Sequence, residues 1–149
     1  MPIGDVCITD VTVAGRDATI QDAALLMRRN HTGTIVVVDR DAGFEKPVGI
    51  VTDRDIVVSA IAMKLDPAIF TLGDMAWPEL VTAQQDEGVL ECIQRMARHG
   101  IRRMPVLNNA GNLAGIVAVD DLIGLLADEL GEVANVISTE QAREMAIKQ

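Results

Sequence analysis

Apolar residues recur along this chain with a period and an offset. Ile20, Ala23, Ala24 and Met27 stand at i, i+3, i+4 and i+7, the stripe of an amphipathic helix. Val89, Cys92, Ile93 and Met96 repeat that stripe 69 positions later, and Asp17 and Asp86 precede the two stripes at the same offset. Each predicted helix gives way to a continuous apolar run, Ile35 to Val38 and Met104 to Leu107, of a length that suits a strand covered on both faces. Gly49-Ile50-Val51 is then answered by Gly115-Ile116-Val117, 66 positions on. The three-residue difference falls between Asp39–Pro47 and Asn108–Asn112, both predicted loops, where insertions cost little. Asp55 and Asp121 each stand six residues past the glycine and open a further helical stripe: Ile56, Ala60 and Met63 in one copy, Leu122, Leu125 and Leu126 in the other.

Each half therefore predicts strand, helix, strand, strand, helix, an α/β chain (α+β in arrangement) of two βαββα repeats. A half of about 65 residues buries too little surface to be stable alone. Two such halves packed by their sheets into one pseudo-symmetric module resolve that. The expected boundaries are 1–66 for the first repeat with its N-terminal lead-in, 67–130 for the linker and second repeat, and 131–149 for a C-terminal helical extension. Pro67 and Gly73 punctuate the link from Met63 to Trp77. Ser138-Thr139-Glu140-Gln141 has the form of a capping box and predicts the start of a last helix reaching about Lys148.

Composition narrows the function. Of 149 residues, 49% are hydrophobic and only 2% aromatic, so the core is aliphatic. A net charge of -9 argues against a nucleic-acid partner, which calls for a basic face, but leaves room for a small anion held by a few local cations. Cys7 and Cys92 lack metal-ligand spacing and read as reduced thiols. The first residues, MPIGDVCITD, have no signal-peptide pattern, and the apolar stretch around Ile56 to Met63 falls far short of the ~20 residues that span a bilayer. The expectation is a cytoplasmic protein with no membrane contact.

The pieces DATIQDAALLM and GIVTDRDI in the first half, and DEGVLECIQRM, IRRMPVL and GIVAVDDLI in the second, resemble the CBS-domain family over about Val11 to Leu130. Their order, occurring twice, is more specific than any one piece. The resemblance implies a pair of CBS repeats (a Bateman module) forming a disc-like unit, a homodimer of such units, and clefts between repeats that bind adenosine-containing ligands.

The motif richest in chemistry is Gly49-Ile50-Val51-Thr52-Asp53-Arg54-Asp55. It sets a hydroxyl and a carboxylate three residues apart at a strand-to-helix junction, where unpaired N–H groups favour an anion. Thr52 is placed to donate to a phosphate and Asp55 to accept from two ribose hydroxyls, the roles of the matching residues in the family. The plain alternative is a helix cap: Thr52 or Asp53 as N-cap, Asp55 as a first-turn acid. In the second copy Ala118 replaces the hydroxyl while Asp121 remains. Arg102 and Arg103 offer planar recognition of phosphate oxygens, against the plain alternative of surface ion pairs. Strand alternation predicts that they point to opposite faces, one reaching a cleft. The family's cleft pattern joins the Thr/Asp motif of one repeat to the lead-in and IRRMP-type strands of the other. Carried over, it groups Thr52, Arg54 and Asp55 with Val81, Ile101 and Arg102 or Arg103 as nucleotide-binding residues, with Ile50 and Ile101 sandwiching the adenine. The other cleft would join Asp121 and Ile116 to Thr12, Thr32 and Gly33, a depleted set.

Other features take the plain reading. Arg28 and Arg29 complement the end of a helix, His31 and His99 lack ligand spacing, the Asp120-Asp121 pair suits a helix start, and the methionines fall mostly on helical stripes as core. No Walker-type, HExxH, CxxC or nucleophile-base motif appears, so no enzyme is expected. The leading reading is a regulatory module for AMP, ADP or ATP that needs no cofactor and signals to an effector protein. The alternative is a structural or interaction dimer with degenerate, ligand-free clefts. The residues do not choose among AMP, ADP, ATP, S-adenosylmethionine, NAD and a cyclic dinucleotide.

Overall fold

The computed structural model describes residues 1–148. The first set of elements is β1 (Val13–Ala14), α1 (Ile20–Asn30), β2 (Thr34–Asp41), β3 (Phe44–Thr52) and α2 (Asp53–Asp55). The second is β4 (Ala83–Gln84), α3 (Val89–His99), β5 (Arg103–Leu107), β6 (Leu113–Ala118) and α4 (Val119–Lys148). They build two three-stranded sheets, ordered β1-β2-β3 and β4-β5-β6. β1 is parallel to β2 and β4 to β5, with α1 and α3 as the crossovers that parallel pairing requires. β2 and β3 are antiparallel, with Thr34 opposite Thr52 and Val36 opposite Ile50. The chain is thus mixed α/β with the predicted element order. Met1–Val117 forms one compact unit and α4 belongs to a second.

Local chemistry sets the helix ends. Thr19 and Asp22 form a reciprocal capping box at the start of α1, and His31, in the left-handed region at φ 51, ends it. Ile20, Ala23 and Met27 are buried and pack with Ile35, Val37, Val51, Ile56 and Ala60; Ala24, also expected in that stripe, is exposed. Val36 and Val38 face the other side of the sheet and are equally buried, so both faces are covered.

The halves exchange their leading segments, which the sequence reading missed. The 3₁₀ turn Ile3–Asp5 precedes β1 yet binds the second half: Ile3 N–H donates to Glu87 O at 2.7 Å and Gly4 N–H to Gln85 O at 2.8 Å. The turn Leu72–Asp74 precedes β4 yet binds the first: Leu72 N–H donates to Ala18 O at 2.9 Å and Gly73 N–H to Arg16 O at 2.8 Å. All of these pairs are related by the same offset of 69. Ile3 and Leu72 are fully buried, so each half is closed by a strap from the other's lead-in.

Several expectations are corrected. Asp39–Pro47 is not a loop: β2 and β3 extend through it as a hairpin turning at Ala42 and Gly43, both at positive φ. After Asp55 the helix widens into a π-helical stretch, Ile56–Ile61, which buries Ile56 and Ala60; Met63 lies beyond it and is exposed. In the last helix Leu122 is buried, but Leu126 is exposed. Ser138 starts no helix. It sits inside the single 30-residue α4, its hydroxyl donating to Ala134 O at 3.4 Å, a bond available to a mid-helix serine. Met27, Met75, Met96 and Met104 are core, whereas Met1, Met63 and Met145 are exposed. Among the described residues no helix is long and apolar enough to cross a membrane.

Candidate functional site

Gly49 makes room for one wall of the site. A Cβ there would fall 2.6 Å from the Trp77 indole Cδ1; without it the ring lies on β3 and its N–H donates to Val48 O at 3.1 Å. Arg16 stacks over the ring, 5.8 Å from its centroid, and pairs with Asp39 at 2.8 Å. The strap that follows Trp77 therefore brings Pro78 to Val81 beside the Ile50–Thr52 end of β3. The opposite wall comes from the end of α3. Gly100, at φ 62, stops the helix and Ile101 N–H returns to Met96 O at 3.1 Å, which turns Ile101, Arg102 and Arg103 into the same space.

Ile50, Thr52, Asp55, Val81, Ile101, Arg102 and Arg103 thus line one cleft of about 260 Å³, open on one side. The volume is just under the ~300 Å³ at which small-molecule sites begin. Both arginines line it, a correction to the alternation argument. β5 begins only at Arg103, so Arg102 precedes the strand and the two need not face apart. Arg54 is exposed on the first turn of α2 and does not line the cleft. Asp121 stands exposed in the first turn of α4. Pro78, Glu79 and Leu80 line the cleft and were not foreseen.

Thr52 and Asp55 cap their own helix. Asp55 N–H donates to Thr52 Oγ1 at 3.2 Å and Thr52 N–H to Asp55 Oδ2 at 2.9 Å. Thr52, not Asp53, is the N-cap. The cap uses an acceptor of the hydroxyl and one carboxylate oxygen, and leaves the hydroxyl proton and Oδ1 outside it. The helical run continues from Asp53–Asp55 through the π-helical Ile56–Ile61, and Arg102 and Arg103 bring positive charge to the cleft.

The depleted residues of the first half are turned to internal bonds. Thr12 accepts from Asn30 Nδ2 at 3.1 Å, and the Thr32 hydroxyl donates to Thr34 O at 3.4 Å. Asp53 N–H donates to Gly33 O at 2.9 Å, and its carboxylate lies against Gly33, 2.8 Å from where a Cβ would stand. Where the second half offers two guanidinium groups, the first offers a carboxylate. Burial pushes up the Cys7 and Cys92 thiols, which disfavours the thiolate. Among the described residues no group of three His, Cys, Asp or Glu could hold a metal ion.

Comparison with known proteins identifies the family. The CBS domain model matches residues 3–61 and 72–128. An uncharacterized Methanopyrus kandleri protein, MK0525, is 30% identical over 121 residues; the match covers 81% of this chain but 60% of that protein, so this chain spans less than two thirds of it. A CBS domain protein from Pyrobaculum aerophilum complexed with AMP has a TM-score of 0.72 and 28% identity, covering 82% of this chain and 90% of that one. The CBS domain pair of protein MJ0100, in complex with 5′-methylthioadenosine and S-adenosyl-L-methionine, has a TM-score of 0.70 and 25% identity, covering 85% and 99%. With two repeats in tandem over most of its length, this chain belongs to the CBS-domain family.

Proposed function

We propose that this CBS pair is a non-catalytic regulatory module that takes an adenosine nucleotide, AMP, ADP or ATP, into the cleft between its repeats. It passes the bound state to an effector protein, works in the cytoplasm without nucleic-acid or membrane partners, and acts as a homodimer. The observation that carries the reading is the meeting of three kinds of group in one cleft. Ile50 and Ile101 offer apolar surface to an adenine ring, Asp55 offers a carboxylate oxygen to the ribose diol, and Thr52, Arg102 and Arg103 offer donors to phosphate.

The two related structures hold ligands that share adenosine but differ at the 5′ end, a phosphate in AMP and a sulfonium or thioether in the other pair. Two guanidinium groups at the cleft favour the phosphate and disfavour a sulfonium cation. A thermal-shift comparison of AMP, ADP, ATP, S-adenosylmethionine and NAD, with GMP as control, tests this. Ligand at about 100 times its Kd adds roughly 2.7 kcal/mol, and at about 2–4 °C per kcal/mol for a chain of this size Tm rises by roughly 5–10 °C. An equal shift with GMP, or none with any nucleotide, overturns the reading and leaves Thr52 and Asp55 as a helix cap in a structural dimer.

A further inference from the structure

A second hollow shares Leu80 with the cleft and is otherwise lined by different residues. Its volume is about 740 Å³, within the ~300–1,000 Å³ of small-molecule sites, and it is open to solvent. One wall is the part of the first half that has no counterpart in the second. β2 and β3 run to 8 and 9 residues, where β5 and β6 run to 5 and 6. The longer hairpin brings Phe44 and Lys46 to the hollow, and the turn after β5 brings Gly111 and Asn112. Glu45 N–H donates to Asn112 Oδ1 at 2.9 Å, which ties the hairpin of one half to the turn of the other.

The lining sorts into an apolar floor and a set of donors. Phe44, Val48, Leu80 and Leu107 supply the floor, Arg16, Lys46, Thr82 and Asn112 the donors, and none of the lining residues is acidic. In a chain of net charge -9, two cations with no carboxylate beside them in the lining favour an anion. Arg16 already gives Nε and Nη2 to Asp39, at 2.8 and 3.3 Å. Lys46, opposite Asp39 in the ladder, acts on that carboxylate through space but has no hydrogen bond or ion pair among the described residues. The Thr82 hydroxyl and the Asn112 Nδ2 group are likewise without a partner among them. The hollow has no counterpart of Asp55 to accept from a ribose diol, so its chemistry differs from that of the cleft. An apolar floor edged by a cation and neutral donors suits an apolar body with one anionic head.

We propose that this hollow is a second binding site, for a small organic monocarboxylate whose apolar body lies on Phe44, Val48, Leu80 and Leu107 and whose carboxylate meets Lys46. The site is independent of what the cleft binds. Hexanoate and phenylacetate titrated into the full chain, followed by the backbone amide signals in nuclear magnetic resonance, read place and affinity together. The amides of Phe44, Lys46, Leu107 and Asn112 shift saturably, while those of Thr52 and Ile101 in the cleft hold still. Hexanol, the same chain without the charge, binds about fivefold more weakly than hexanoate, the upper size of a solvent-open ion pair. Lys46→Gln weakens hexanoate by the same factor of about five, and Lys46→Arg, which keeps the charge, restores it. Lys46 is exposed, so both variants keep the parent's amide pattern away from the hollow. No saturable shift with either acid, shifts confined to the cleft, hexanol binding as tightly as hexanoate, or Lys46→Gln binding like the parent overturns the proposal.

Discussion

Asp55 serves the fold and, in the proposed function, the ligand, and Asp55→Ala separates the two. In the folded chain Asp55 Oδ2 accepts from Thr52 N–H at 2.9 Å. The reciprocal bond, from Asp55 N–H to Thr52 Oγ1 at 3.2 Å, survives the substitution because it uses the backbone of residue 55. The loss to the fold is one half of a capping box, about 1 kcal/mol, which lowers Tm by roughly 2–4 °C in a chain of this length. The loss to binding is larger. A carboxylate that accepts from two vicinal hydroxyls makes hydrogen bonds to a charged group worth about 1.5–3 kcal/mol each. At 1.4 kcal/mol per decade their removal weakens AMP about a hundredfold or more. Isothermal titration well below the variant's Tm, beside a melting curve without ligand, reads both quantities. A variant that holds AMP within about threefold of the parent refutes the ribose assignment, because two such bonds cannot be worth so little.

Gly115→Ala would place a Cβ 2.6 Å from Cys7 Sγ and 2.7 Å from Ile8 O, and should destabilise by about 1–3 kcal/mol as an overpacked contact; an unchanged Tm contradicts the strap over β6. Ala42 sits at φ 49 ahead of Gly43, so Ala42→Asn gives the Asn-Gly pair that a tight hairpin turn favours and should add about 0.5–1 kcal/mol in a denaturant titration; a lower midpoint refutes the turn assignment. Burial works to raise the Glu87 pKa, but the hydrogen bonds from Arg95 and the Gln84 backbone, with the Arg95 charge, outweigh it and hold the carboxyl below its usual value. Because the folded pKa is the lower one, this stabilisation is present above the unfolded value of about 4.3 and fades as pH falls through the folded value. The stability gap between the parent and Glu87→Gln should therefore shrink on acidification from neutral pH, and a gap that widens reverses the sign.

Much of the fold was legible because the repeat is written in apolar spacing. Ile20 to Met27 and Val89 to Met96 gave both crossover helices, and the Gly-Ile-Val runs gave the strands that carry the cleft. The exchanged straps were missed although Ile3-Gly4-Asp5 and Leu72-Gly73-Asp74 keep the offset of 69, because a three-residue turn has no periodicity to detect. The placement of Pro78 to Leu80 depends on Trp77 lying over Gly49, a contact across sequence that only the fold brings about. Ser138 misled for a chemical reason: the residue types that cap a helix can also bond back to a carbonyl four residues earlier and stay within it. Both arginines reach the cleft because β5 starts only at Arg103, so Arg102 lies before the strand and alternation does not govern the pair, at a boundary that propensity fixes poorly.

The central claim is that one cleft of this CBS pair holds an adenosine nucleotide, and a crystal structure of the protein grown with AMP tests it most directly. The account predicts the adenine ring between Ile50 and Ile101, the ribose diol on Asp55, and the phosphate against Thr52 and the Arg102–Arg103 pair. AMP seated elsewhere on the chain, or an empty cleft at saturating nucleotide, would contradict it.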